Sequence, residues 1–216
     1  METLKGQDPV GDEADAVPMR ERIKGLATEL LVRHGYRGVS FGDLAEALGT
    51  TRANIHYHFG NKVALVDAVI EDYVAAASRR FARTWIDPDT SFVAKIEETV
   101  ASNYQLYLKY NASDEGGLPW SLIARMRQDS EVIGERSRAV LKKFGADLHG
   151  YVVTAVETAI RRGELVASAP VEDIAIQIVA IMDSAGHISQ NAGSFARLEQ
   201  LYYAFGRVVM HAYGRR

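Results

Sequence analysis

Thr50–Lys62 reads TTRANIHYHFGNK. Its thirteen residues hold two histidines, a tyrosine, a phenylalanine, two asparagines, an arginine and a lysine around one aliphatic anchor, Ile55. Such a stretch is either a metal or catalytic site, or a helix that faces something other than its own core. Geometry disfavours metal: His56 and His58 stand two apart, which on a helix separates them by about 200°, too far around to share one ion. A two-residue spacing suits a strand, but Gly49 and Lys62 bracket a segment of helix length. No carboxylate within the stretch can orient an imidazole, so catalysis is also weakly supported.

The surrounding spacing points elsewhere. A helix-turn-helix needs a small residue where its helices approach, a glycine at the sharp turn and a branched anchor on the second helix. Ala45, Gly49 and Ile55 supply these in order, with Leu44 and Leu48 as core of the first helix. The outward face of Thr51–His58 is then free to enter a major groove.

Charge agrees with that placement. The whole chain of 216 residues has a net charge of −3, which by itself argues against nucleic acid. Residues 18–62, however, carry seven Lys/Arg against four acids, a net of +3, while residues 1–17 sum to −4 and residues 63–216 to −2. One small module meeting phosphates would leave that asymmetry. The absence of cysteine excludes disulfides, thiolate zinc sites and thiol redox sensing. No run of about 18 apolar residues occurs, so no membrane span is expected. Residues 1–17 lack the layout of a secretory signal and read as a disordered acidic tail, which predicts a cytoplasmic protein.

Outward from the opening stretch, the pattern is helical throughout. Met19, Ile23, Leu26, Leu30 and Leu31 recur at helical spacing behind Pro18 and stop at Gly35. Ser40-Phe41-Gly42-Asp43 reads as a capping box, and a short third helix spans Thr51 to Phe59. Asn61 reads as the N-cap of a fourth helix running to Trp85. A fifth carries Phe92 to Leu108, and a short sixth begins at Pro119. A seventh runs from Ile133 to Ile160, bent by Gly134, Gly145 and Gly150; an eighth spans 171–190 and a ninth 194–213. No segment alternates with period two. The fold class is therefore all-α, with about nine helices: a three-helix helix-turn-helix domain at 18–64 and a larger C-terminal helical bundle at 65–216.

Residues 18–70, about a quarter of the chain, resemble the DNA-binding domain of the TetR family of bacterial transcriptional regulators. The features that carry the resemblance are Val39-Ser40, Leu44-Ala45 before Gly49, and above all Asn54-Ile55-His56-Tyr57-His58-Phe59 leading into Asn61-Lys62 and Leu65. Thr50-Thr51, where an apolar residue commonly precedes a polar one, and His56, where tyrosine is frequent, depart from the pattern and blur which side chains touch bases. The resemblance implies that Arg52 and Asn54 read bases, with Ala53 against a thymine methyl. Ser40, Thr51, His56, Tyr57, His58 and Lys62 become phosphate or sugar contacts that set register. Phe59 is assigned to packing, and His58 fits either role.

The same resemblance implies a dimeric, ligand-sensing larger half, and a repressor released from a palindromic operator by a small molecule. Ala175–Met182 is apolar nearly all round, and Ala180, Ser184, Ala185 and Gly186 permit close approach, so a homodimer through 171–190 and 194–213 is expected. Candidate pocket residues are Trp85, Tyr104, Tyr107, Trp120, Met126, Phe144, His149, Tyr151, Asp183 and His187. Asp183 and His187, four apart, suggest an Asp–His hydrogen bond or an inter-subunit contact rather than a metal site. No cofactor is expected. A helical enzyme using His149, Glu157, Asp183 and His187, or a DNA-packaging protein without ligand, are the competing classes; neither accounts for the helix-turn-helix spacing together with a sensing domain.

Overall fold

The computed structural model describes residues 17–112 and 116–215. The acidic tail, apart from Val17, and the middle of the Asn111–Gly117 loop lie outside the described residues. Within them the chain forms nine helices: α1 Met19–His34, α2 Phe41–Ala47, α3 Arg52–Phe59, α4 Lys62–Ile86, α5 Phe92–Leu108, α6 Leu122–Gln128, α7 Glu135–Arg161, α8 Val171–Ala192 and α9 Ala196–Tyr213. The only pairing of strand type among them is an isolated antiparallel bridge between Leu165 and Gly214. No described helix is long and apolar enough to cross a membrane.

Local chemistry sets most helix starts. The Ser40 hydroxyl accepts from the Asp43 amide while the Asp43 carboxylate accepts from the Ser40 amide, closing the expected capping box. Asn61 caps α4 by accepting from the Ala64 amide at 2.9 Å. Several boundaries differ from expectation. Thr51 is the N-cap of α3, outside the helix rather than in its first turn, because its hydroxyl accepts from the Asn54 amide. Ser121 caps α6 in the same way, so Trp120 precedes that helix. Gly134 is the extended N-cap of α7, leaving only Gly145 and Gly150 inside it. Helix α8 runs two residues past Gln190 and ends where Gly193 takes a left-handed conformation, φ 64°.

The long helices α4 and α7 lie along one another, α8 packs on α7, and α9 packs on α8 and α5. Trp85, fully buried at the end of α4, donates Nε1–H to Thr99 Oγ1 at 3.0 Å and meets Phe92 edge-on. Buried Lys95 donates to the carbonyls of Thr84 (2.9 Å) and Asp87 (2.5 Å), so its ammonium closes the C-terminal end of α4, where the helix dipole favours a cation. Burial pushes its pKa down, against the pull of the Asp87 charge. Helix α1 rests on both α4 and α6. At that junction buried Gly35 adopts φ 70°, ψ −177°, and the next amide, of Tyr36, donates to the Asp129 carboxylate at 2.7 Å. The helix-turn-helix is thereby bonded directly to the end of α6.

Candidate nucleic-acid interface

Helix α3 divides cleanly into two faces. Ile55 and Phe59 are buried on the side of a helix that packs on α2 and α4, while Arg52, Ala53, His56 and Tyr57 are exposed. Arg20 of α1 clamps the far end: it donates to the His58 carbonyl at 2.6 Å, and its guanidinium lies 4.3 Å from the Phe59 ring. Tyr57 is 84% exposed, the most exposed large hydrophobic side chain of the described chain. An aromatic ring left so fully in water loses the burial energy that its size could supply, so its placement suits an external surface.

The expected contact residues are not equally free. The Asn54 amide gives one of its two Nδ2 hydrogens to Thr50 Oγ1 at 2.9 Å and the side chain is half-buried, so Thr50 fixes how the amide is turned. Thr50 is not among the expected contacts; its hydroxyl four residues before Asn54 is the signal that could have found it. His56 donates Nδ1–H to the Gly60 carbonyl at 2.8 Å and packs edge-on against Phe41, 4.7 Å between centroids. Its ring is thus fixed by the fold even though it is exposed. His58 is half-buried with Tyr57 against its edge. The Ser40 hydroxyl accepts from the Asp43 amide and donates its proton to the Asp43 carboxylate at 2.8 Å, and the Thr51 hydroxyl accepts from the Asn54 amide. Lys62 lies 4.2 Å from the Tyr36 ring, where burial pulls its pKa down and the charges of Asp43 and Asp129 pull it up. Arg52 lies over the first turn of α2: a Cβ placed on Gly42 would come 2.5 Å from its guanidinium. Gly42 therefore leaves room for the arm, a role that sequence spacing alone does not suggest.

The helix-turn-helix is also recognisable as sequence. Residues 25–69 match the profile of bacterial regulatory proteins of the tetR family. The chain is 27% identical over 175 residues to a probable helix-turn-helix transcriptional regulator, ArpR, of Pseudomonas putida, covering 78% of this chain and 79% of that protein. It is 26% identical, again over 175 residues and with the same coverage, to the regulator TtgR of Pseudomonas putida. Residues 25–69 form a TetR-family helix-turn-helix. The chain's fold is that of a TetR regulator from Legionella pneumophila, with a TM-score of 0.73 at 21% identity over 90% of this chain and 99% of that one. A regulator from Saccharomonospora viridis, solved in complex with choline, superposes with a TM-score of 0.72 at 21% identity over 91% and 98%. With a helix-turn-helix of this kind and regulators as its relatives, the chain is a DNA-binding transcriptional regulator.

In the C-terminal bundle the expected pocket residues separate into three groups. A small cavity among α4 to α8, of about 40 Å³, takes Trp120, Phe144 and Asp183. Asp183 and His187 also border an open cleft between α6, α7 and α8. The others stand elsewhere. Trp85, Tyr107 and Met126 are packed core with no exposed surface; Tyr107 donates to the Gly116 carbonyl, and Tyr104 stacks beside it against Phe195. Half-buried Tyr151 lines neither space, and His149 pairs with Glu172 at 2.9 Å. Asp183 and His187 do not bond each other: Asp183 receives Arg127 at 2.6 Å, and the His187 ring meets the Gln128 amide. Both partners come from α6, an element that i,i+4 reasoning within one helix cannot include. Glu157 pairs with Arg161 on its own helix, so the four residues of the enzyme alternative are each engaged apart from one another. Among the described residues no three metal-ligating side chains cluster.

Replacing Tyr57 by alanine is expected to leave stability within about 0.5 kcal/mol, because so little of the ring is buried. Duplex affinity should fall about tenfold with it. Urea denaturation and fluorescence anisotropy on the same variant check both halves.

Proposed function

We propose that two copies of the chain pair through α8 and α9, read a pseudo-palindromic operator with the outward face of α3, and leave it when a small molecule enters the cavity among α4 to α8. The observation that carries the reading is the division of α3: its apolar residues are inside, and Arg52, Ala53 and Tyr57 project from the only segment of the chain with net positive charge. Arg52 is the primary base reader, Ala53 meets a thymine methyl, and Tyr57 and Lys62 steady the backbone. Asn54 reads with its carbonyl oxygen and its second Nδ2 hydrogen, turned by its bond to Thr50. Ser40, Thr51, His56 and His58 act chiefly by holding the helix in position.

Pairing is supported by what α8 and α9 leave uncovered. Ile176, Ala180 and Ser184 lie one turn apart and exposed on α8, and Val208 and Ala212 do so on α9. Ile176 is 63% exposed and Val208 66%. Ala185 and Gly186, by contrast, serve the monomer: a Cβ on Gly186 would come 3.1 Å from Ala124 of α6. Control by ligand is supported by the cavity's contact with α6, which is bonded through Asp129 to the turn after α1. A ligand fitting one arrangement of α6 better than another shifts the spacing of the two reading helices. The choline-bound regulator from Saccharomonospora viridis supports a small-molecule site in this fold, but at 21% identity its ligand does not transfer.

Selection of bound sequences from a random duplex pool tests the function. The expected consensus is a palindrome with half-site centres about 34–36 Å apart. Equal retention of every duplex, with a steep salt dependence, would favour a packaging protein instead.

A further inference from the structure

The inward face of α4 is apolar at Leu65, Val66, Val69, Ile70, Val74, Ala77 and Trp85, and one arginine interrupts it. Arg80, three residues after Ala77, is half-buried, whereas its neighbours Arg79 and Arg83 are exposed. Its Nε is buried and has no hydrogen-bond partner. The guanidinium carbon lies 5.2 Å from the Phe81 ring, and among the described residues no carboxylate pairs with it and the one charged or titratable group acting on it is the Tyr73 phenol. Burial raises the Tyr73 pKa, so that phenol is neutral and offers no counter-charge.

Arg80 lines the cavity among α4 to α8 together with Phe81, Trp120, Phe144 and Leu148. The cavity's other ions cancel: Arg127 donates to Asp183 at 2.6 Å. One uncompensated positive charge is left, between aromatic walls. On its other side Arg80 borders an open cleft that contains Asp87 and Glu98, neither of which reaches it. A charge withdrawn from water without a partner is destabilising. The unbonded edge of the group, Nε–H with its neighbouring Nη–H, is the fork that matches a carboxylate.

We propose that the cavity is an anion site and that the molecule it takes is an aromatic carboxylate, its carboxylate held by the Nε–Nη edge of Arg80 and its ring against Phe81, Trp120 and Phe144, which must part to widen the present space of about 40 Å³. The assignment rests on reading this cavity as the effector site and adds to it the ligand's charge and shape. Removing the lone charge while keeping the stem should cost the unliganded fold nothing, and an anion should gain most of its affinity from Arg80.

The probes are 2-naphthoate and 2-naphthamide, which share a ring and differ in charge, titrated calorimetrically into the full chain and its Arg80→Met variant. The wild-type chain is expected to bind the acid about tenfold more tightly than the amide, and Arg80→Met to bring that ratio close to one. Arg80→Met should melt at or above the wild-type temperature without ligand. A wild-type ratio near one, a ratio unchanged in Arg80→Met, binding of neither probe, or a melting temperature lowered by more than about 5 °C would each overturn the anion site. Anisotropy on the selected duplex separates the two readings. Naphthoate bound without DNA release keeps the anion site and removes the effector reading. Release by the amide but not by the acid does the reverse.

Discussion

A chain carrying Ile176→Glu together with Val208→Glu is expected to sediment as a folded monomer at micromolar concentration and to lose operator affinity about a thousandfold or more. Both side chains are largely in solvent in the single chain, 63% and 66% exposed, so glutamate at either position removes no core contact. Exposed substitutions of this kind change stability by about 0.5 kcal/mol or less. In a pair built on α8 and α9 the same positions would be buried, and two unpaired carboxylates per subunit would face an apolar partner at a cost of several kcal/mol each. Loss of pairing reaches the DNA because one short recognition helix makes few base contacts, and specific affinity comes from two half-sites bound together. Circular dichroism should match wild type while sedimentation and anisotropy change. A variant that still sediments as a dimer would remove α8 and α9 from the interface.

The second large effect concerns two glycines of α1 and its exit turn, which should respond to alanine with opposite signs. Gly35→Ala is expected to lower the unfolding free energy by about 3 kcal/mol. At φ 70°, ψ −177° the backbone lies in a region that side chains other than glycine's rarely enter. A Cβ there would also come 2.7 Å from the Arg125 guanidinium and 2.7 Å from the Asp129 carboxylate, the group that accepts the Tyr36 amide. Those neighbours would have to move, loosening the bonded contact between the helix-turn-helix and α6. Gly25, inside α1 and exposed, has nothing within 4 Å of its Cβ position. Gly25→Ala should therefore stabilise by about 1 kcal/mol, through helix propensity alone. Urea unfolding of the two variants measures both; an unchanged Gly35→Ala would mean that the turn tolerates another conformation.

What can be read from the sequence is mostly local. The capping residues Ser40 and Asn61, the helix stops at Gly35 and Gly49, and the inward set Ile55 and Phe59 depend on neighbours within four residues, and their spacing states them. Thr51 falls one position outside its expected place because a hydroxyl that caps and a hydroxyl in a first turn look alike until the Asn54 amide is seen to use it. The site is less legible. Nothing in Asn54 itself says that Thr50 holds its amide, and nothing in His56 says that Phe41 and the Gly60 carbonyl fix its ring. Aromatic residues are poor pocket markers because Trp85, Tyr107 and Trp120 are all buried, and only tertiary contacts decide which one borders empty space. The strongest unused signal is Arg80, a charge at a position that the apolar period of α4 assigns to the inside.

Whether the outward face of α3 in each of two paired subunits lies against base edges is tested most directly by guanine methylation interference on the selected duplex. With the wild-type chain, N7 methylation at two guanines related by the palindrome's two-fold axis should block binding, and with Arg52→Ala both blocks should vanish together while contacts elsewhere persist. An interference pattern identical for the two proteins, or blocks confined to one half-site, would contradict it.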